Sequence, residues 1–249
     1  MSLRERLSRR DQLLGCFNIE LRGHALAYAL AQTGFDLMIV DCEHSMFGFD
    51  VVGQHVIACR AAGIASIVRV PENSRTAITR VAELSPDGIM FPGVGSEAEA
   101  RIIVEAAKYA PLGQRGVAPM VEYSALAPED RYSVLNDRLA LILQVEGIAA
   151  VAAAPAIAAV PGVDALFVGT YDLSQSLGIP GRLDDPRVFE AGRGIVGSLP
   201  AGSALGVYVQ TPEMARQWLD AGATLIAYAT DGQLFLTGAR AAAAAVGRV

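Results

Sequence analysis

The sequence predicts one α/β domain, residues 1–249, folded as a closed (β/α)8 TIM barrel. Three observations carry that prediction. About eight short apolar runs alternate strictly with segments of helical pattern, which implies parallel strands joined by crossover helices. The runs are nearly continuous in apolar residues, as expected of strands buried on both faces. A length of 249 residues suits eight such units in a closed barrel better than a doubly wound sheet.

The first strand is read over residues 14–19, followed by a helix over 23–33. Residues 35–40 form the second strand and 49–62 its helix. The third pair is 66–70 with a helix over 75–84, and the fourth is 88–91 with a helix over 96–109. Residues 110–137 read as one long irregular connection, holding Pro111, Gly113, Gly116, Pro119 and Pro128. Connections of that length are usually functional. The fifth strand is 139–145, with an Ala-rich helix ending near Val160. The sixth is 165–168, followed by a short helical turn and a helix over 186–199. The seventh is 204–209 with a helix over 212–221, and the eighth is 225–229 with a helix over 233–246. Gly34, Gly63 and Gly222 fall where helices end, as left-handed caps require.

Composition excludes several functions. Hydrophobic residues make up 52% and charged residues 18%, enough for a large core. The net charge is -6, and no basic run exists beyond residues 4–10, so nucleic acid is a poor partner. Residues 4–10 read as the solvated face of a first helix. Cys16, Cys42 and Cys59 are odd in number and form no CxxC, which argues against a disulfide framework or a Cys-rich zinc site. The N-terminal segment is charged where a signal peptide needs an apolar run. The uncharged stretches 148–163 and 194–212 are interrupted by Pro, or by Gly, Ser, Gln and Pro, so neither is a membrane span. A soluble, cytoplasmic protein is expected.

In such a barrel the active site lies at the carboxyl ends of the strands. That rule selects Asp41-Cys42-Glu43-His44 after the second strand and Arg69 in the third. It also selects Gln144 and Glu146 at the end of the fifth, Gly169-Thr170-Tyr171-Asp172 past the sixth, and Asp231 near the eighth. Any one carboxylate there can simply cap the next helix. The set of Asp41, Glu43, Arg69, Glu146 and Asp172 on one rim weakens that reading. Glu146 follows a very apolar strand, so its carboxylate needs a cation or several donors. Two carboxylates sharing a site repel unless a metal or proton intervenes. A hard divalent cation with open water positions, Mg²⁺ or Mn²⁺, is the natural solution.

Of three histidines, His55 lies in a helical pattern and reads as structural, and His24 opens a helix. His44 follows a strand end, where Asp41 would orient its ring and raise its basicity. No HExxH occurs. The single lysine, Lys108, lies near a helix end, where it favours the helix dipole. A Schiff base needs a lysine inside the pocket, so a metal becomes the better electrophile. Gly93-Val94-Gly95-Ser96-Glu97-Ala98 matches GxGxxA, but it follows the fourth strand and has no acidic strand end about 20 residues on, which disfavours a dinucleotide site.

Five segments in order resemble the HpcH/HpaI aldolase family, the class II pyruvate aldolases. They are Asp41-Cys42-Glu43-His44, Val68-Arg69-Val70-Pro71, the run from Tyr109 to Gly116, Gln144-Val145-Glu146, and Gly169-Thr170-Tyr171-Asp172-Leu173-Ser174. The resemblance covers nearly the whole chain, from Gly15 to about Asp231. It implies a divalent cation (Mg²⁺, Mn²⁺ or Co²⁺) on Glu146 and Asp172, chelated by the keto and carboxylate oxygens of pyruvate. It further implies that backbone N–H groups around Tyr171 and Asp172 hold the substrate carboxylate. Arg69 would stabilise the enolate oxygen, and Gln144 would lie beside the substrate. His44, oriented by Asp41, would move protons through a metal-bound water. A metal-bound pyruvate enolate that attacks or leaves an aldehyde is the implied chemistry, on 4-hydroxy-2-oxo acids. A homo-oligomer is also implied, a dimer with swapped last helices or a hexamer. Two features depart from the family pattern: the segment usually GPxDLS reads Gly169-Thr170-Tyr171-Asp172-Leu173-Ser174, which would put Tyr171 close to the substrate carboxylate, and residues 120–131 fit no pattern; both regions fall where the aldehyde would be chosen.

Alternatives on the same fold are a Claisen-type citrate synthase or citryl lyase relative, and a non-catalytic metabolite-binding barrel.

Overall fold

The computed structural model describes residues 1–117 and 130–248. Its strands are β1 (Leu13–Asn18), β2 (Leu37–Asp41), β3 (Ala65–Arg69), β4 (Gly88–Phe91), β5 (Ala140–Val145), β6 (Ala165–Val168), β7 (Ala204–Val209) and β8 (Leu225–Thr230). They close in sequence order, and β8 returns to pair with β1. Every neighbouring pair is parallel. Such pairing needs a crossover between strands, and the helices supply it. They are α1 (Leu3–Ser8), α2 (Ala25–Gln32), α3 (Phe49–Ala62), α4 (Arg75–Glu83) and α5 (Glu97–Ala107). Then come α6 (Arg131–Arg138), α7 (Ile148–Ala158), α8 (Thr170–Ser176), α9 (Pro186–Val196), α10 (Pro212–Asp220) and α11 (Asp231–Ala245).

The expected barrel is therefore present, with strand limits within about two residues of those read from the sequence. The reason is burial. Strands β2, β4, β5, β6 and β7 have every residue buried, so their side chains face either the barrel interior or the helical ring. Met38, Ile39, Ile67, Ile89 and Phe91 are among the fully enclosed side chains. Each such side chain contributes about 1.5–3 kcal/mol relative to exposure. Gly34, Gly63 and Gly222 have φ of 84°, 79° and 103°, the left-handed conformation expected where helices end.

The amino ends of the strands are stitched by a repeated device. Asp36, Asp87 and Asp164 each stand just before an even-numbered strand. Their carboxylates accept the backbone N–H of Leu14 (2.9 Å), Ser66 (2.8 Å) and Leu141 (2.9 Å) on the preceding odd-numbered strand. Helix α1 covers this end. Its Arg6 donates to Asp36 and its Arg4 to Asp164, both at 2.7 Å. This corrects the reading of residues 4–10 as a purely solvated face. Two of the arginines are recruited under the barrel, where carboxylates that cap strand N–H groups need a countercharge.

Two further expectations change. The connection over residues 110–137 is not irregular throughout, since α6 occupies its end. Lys108 is completely buried, and its ammonium donates to the carbonyl of Asn136 at 2.6 Å and to that of Leu139. Burial pushes this amine down to about 8. It ties α5 to the segment entering β5, so its partners are the carbonyls of Asn136 and Leu139 and not the end of its own helix. Residues 120–129, expected to bear on aldehyde choice, lie outside the described residues. No helix among the described residues is long and apolar enough to cross a membrane.

Candidate active site at the carboxyl ends of the strands

Parallel pairing sets the rim. Asp41 and Arg69 are register partners at the ends of β2 and β3, so their side chains emerge side by side. Arg69 donates through Nε to Asp41 Oδ1 at 2.8 Å and through Nη2 to Oδ2 at 2.7 Å. Its Nη1 lies 2.9 Å from Glu43 Oε2 and 3.5 Å from Gln144 Oε1. The guanidinium also stacks 4.9 Å above the Phe17 ring. Burial works against its charge, yet Asp41 and Glu43 outweigh it, and the net effect favours the charged form. Arg69 is therefore a fixed cation with a clamped orientation.

This arrangement alters the expected role of Asp41. Its carboxylate is taken by Arg69 and by the backbone N–H of Glu43 at 2.9 Å. His44 stands three residues on, with its ring exposed and Nε2 3.7 Å from Glu43 Oε2. The sequence paired His44 with Asp41; the structure gives it Glu43. The physical reason is strand register, which puts an arginine directly opposite Asp41 and leaves the loop residue outside.

Gln144 ends the inward-facing set of β5, and Glu146 follows two residues later. Gln144 Nε2 donates to Glu146 Oε2, and Gly93 N–H also hydrogen-bonds this carboxylate. Gly169 passes close by. A Cβ there would meet Glu146 Oε2 at 2.5 Å, Gln144 Nε2 at 2.6 Å and Glu146 Cβ at 2.9 Å, so a side chain at this turn into α8 would displace both groups. Asp172 lies in the first turn of α8 and is exposed. Burial, and next the charge of Asp172, push the Glu146 carboxyl up to about 7. Burial also raises Glu43, against the pull of Arg69. Three acidic side chains thus crowd one side of the barrel mouth.

Aromatic side chains line the mouth as well. Phe17, Phe167, Tyr171 and Tyr208 line the same cavity as Arg69, His44, Gln144 and Asp172, with a volume of about 250 Å³. Phe17 meets Phe167 and Tyr208 edge-on, with centroids 6.1 and 5.8 Å apart. The strand-end rule missed this wall because Phe17, Phe167 and Tyr208 look like ordinary core positions in their strands. An aromatic near the carboxyl end of each of three strands (β1, β6, β7) was the available signal.

Two candidates resolve otherwise. Asp231 is buried and accepts backbone N–H groups from Ile19, Glu20, Leu21 and Gly232 (2.7–3.3 Å) and Asn18 Nδ2 (2.7 Å). It fixes the loop after β1 and does not face the cavity. The GxGxxA segment opens α5, but Ser96 Oγ accepts the Glu99 N–H and Glu99 Oε2 accepts the Gly95 N–H at 2.7 Å. That helix N-terminus already holds its own carboxylate, which disfavours a pyrophosphate at that place.

The closed parallel barrel gathers a clamped arginine and clustered carboxylates at its carboxyl mouth, where (β/α)8-barrel enzymes carry their active sites. The family profile described as HpcH/HpaI aldolase/citrate lyase matches residues 14–238. A 2-dehydro-3,6-dideoxy-6-sulfogluconate aldolase of Pseudomonas putida is 35% identical over 213 residues, covering 85% of this chain and 84% of that protein. A hydroxypyruvate/pyruvate aldolase of Paraburkholderia phytofirmans is 35% identical over 248 residues, covering 96% and 95%. The crystal structure of an HpcH/HpaI aldolase from Desulfitobacterium hafniense superposes with a TM-score of 0.91 at 28% identity, covering 100% of this chain and 98% of that one. The chain belongs to the HpcH/HpaI aldolase/citrate lyase family.

Proposed function

We propose that the protein is a divalent-metal-dependent aldolase that forms or cleaves 4-hydroxy-2-oxo acids, with pyruvate as the nucleophilic half. The observation that carries this is the juxtaposition of Glu146 and Asp172 beside Arg69. A carboxyl pushed up to about 7 by burial and a neighbouring carboxylate is a group awaiting a positive partner. The donor set fits a hard ion: carboxylate oxygens, with room for water and a chelating substrate. Glu146 and Asp172 would hold Mg²⁺, Mn²⁺ or Co²⁺. When bound, such an ion polarises the keto group and lowers the cost of the developing negative charge.

The chain's own residues then divide the remaining work. Arg69 offers a preorganised positive charge to the enolate oxygen. Asp41 keeps that guanidinium in place and is a positioning residue. Gln144 lies beside the substrate and orients Glu146. The N–H groups of Thr170, Tyr171 and Asp172 precede the first intrahelical bond of α8, which runs from Leu173 to Gly169, and would receive the substrate carboxylate. His44, exposed at the cavity beside Glu43, moves the proton. In the addition direction, the pyruvate methyl loses a proton and its carbon bonds to the aldehyde carbon. The new alkoxide then takes a proton.

Methyl proton exchange of pyruvate in D₂O tests this without knowledge of the aldehyde. Exchange is expected with Mg²⁺ or Mn²⁺, abolished by EDTA and lost in Glu146→Gln and Asp172→Asn. Exchange that survives chelation, or persists in both variants, refutes the metal assignment. A homo-oligomer is part of the same proposal. The exposure of Phe235 (67%) and Leu236 (47%) on α11 supports a contact between copies. Sedimentation equilibrium giving a monomer would remove it.

A further inference from the structure

The aromatic side of the cavity carries a hydrogen-bond chain that the aldolase reading leaves unused. Gln210 Nε2 donates to Tyr171 Oη at 2.6 Å and to Tyr208 Oη at 3.4 Å. Tyr208 donates its hydrogen to Gln233 Oε1 at 2.9 Å, and the same oxygen accepts the Thr230 N–H at 3.0 Å. Each tyrosine has one hydrogen to give. That of Tyr208 is committed to Gln233. Tyr171 receives a hydrogen from Gln210 and has no acceptor for its own among the described residues. Its ring is tilted against Tyr208, 5.7 Å between centroids, and stands 47% exposed at the cavity. An oriented hydroxyl at the cavity therefore keeps its hydrogen for a ligand.

Charge limits what that donor can meet. Arg69 is the one permanently charged cation among the described residues lining the cavity, and it is already paired with Asp41 and Glu43. Glu146 and Asp172 add further acidic groups. Among the described residues lining the cavity, an anionic aldehyde would find no cationic side chain other than Arg69, which is already paired. A neutral hydroxyl, in contrast, can accept the Tyr171 hydrogen while its carbon skeleton lies on the aromatic wall.

We propose that the Tyr171 hydroxyl, aimed by Gln210, selects an uncharged, hydroxylated aldehyde as the second substrate. This rests on the aldolase reading. Tyr171 touches the substrate, and Gln210, outside the cavity lining, is a positioning residue. A site built to bond a hydroxyl discriminates against the analogue that lacks it, because the donor is then left unpaired.

The test uses the full-length enzyme with Mg²⁺ and pyruvate, and compares kcat/KM for glycolaldehyde, acetaldehyde and glyoxylate. Intrinsic aldehyde reactivity cancels when wild type and variant are compared, as does any general loss of activity. The ratio of glycolaldehyde to acetaldehyde is expected to fall roughly tenfold in Tyr171→Phe and in Gln210→Leu. Glyoxylate is expected to be the poorest of the three relative to its reactivity. An unchanged ratio in both variants, or a preference for glyoxylate, overturns the proposal while leaving the aldolase reading standing. Absence of pyruvate methyl exchange in the wild type overturns both.

Discussion

Replacing Asp41 by Asn separates two roles for this residue. Asparagine keeps the shape of the side chain and removes its charge. Asp41 is completely buried, and Arg69, 6% exposed, donates two hydrogen bonds to it at 2.8 and 2.7 Å. Removing one partner of a buried pair costs about 3–5 kcal/mol. Glu43, 2.9 Å from Nη1, remains and moves the expectation toward the lower end, about 3 kcal/mol. For a domain of this size 1 kcal/mol shifts Tm by about 2–4 °C, so a fall of about 6–12 °C is expected by differential scanning calorimetry. Turnover should fall as well, since the guanidinium loses its clamp, while the pH–rate profile keeps its shape. Adding Arg69→Met should restore much of the stability, because the uncompensated charge is gone. A Tm within about 2 °C of wild type, joined to a displaced pH–rate profile, would refute the clamp and return Asp41 to His44.

Other outcomes follow from single positions. In Gly169→Ala the new methyl would stand 2.5 Å from Glu146 Oε2, so kcat/KM should drop about tenfold or more with an unchanged circular dichroism spectrum; full activity would show that the turn yields freely. Lys108 gives a pH dependence of stability. Its folded value, about 8, lies below the unfolded 10.5. The unfolded chain thus binds more protons between these limits, and stability rises with pH across that window, by up to about 3 kcal/mol. Urea unfolding of wild type minus Lys108→Met at pH 7 and pH 10 reads the difference, and a flat difference would contradict the burial argument.

The barrel was legible because its signals are local and redundant. Eight apolar runs of strand length, each followed by a helical pattern, leave few topologies. The strand-end rule then located Asp41, Glu43, His44, Arg69, Gln144, Glu146, Tyr171 and Asp172 on one rim, and the structure places them all there. Helix α6 escaped because its residues 131–138 carry only Leu135 and Asn136 as buried contacts, too few to give an amphipathic pattern. Residues 4–10 and Lys108 were misread for a related reason. A charged side chain looks solvated until its partner is known, and Asp36, Asp164 and the carbonyls of Asn136 and Leu139 are distant in sequence.

The sequence by itself determined the order of the elements, the family and the roster of polar groups at the mouth. Hydrophobic periodicity and strand-end position are properties of neighbouring residues, so they need no third dimension. Only the tertiary structure decided the pairings: Asp41 to Arg69 instead of His44, Asp231 to the loop after β1, Tyr171 to Gln210 beside an aromatic wall. Those contacts depend on strand register and barrel closure, which bring together side chains as far apart as residues 18 and 231.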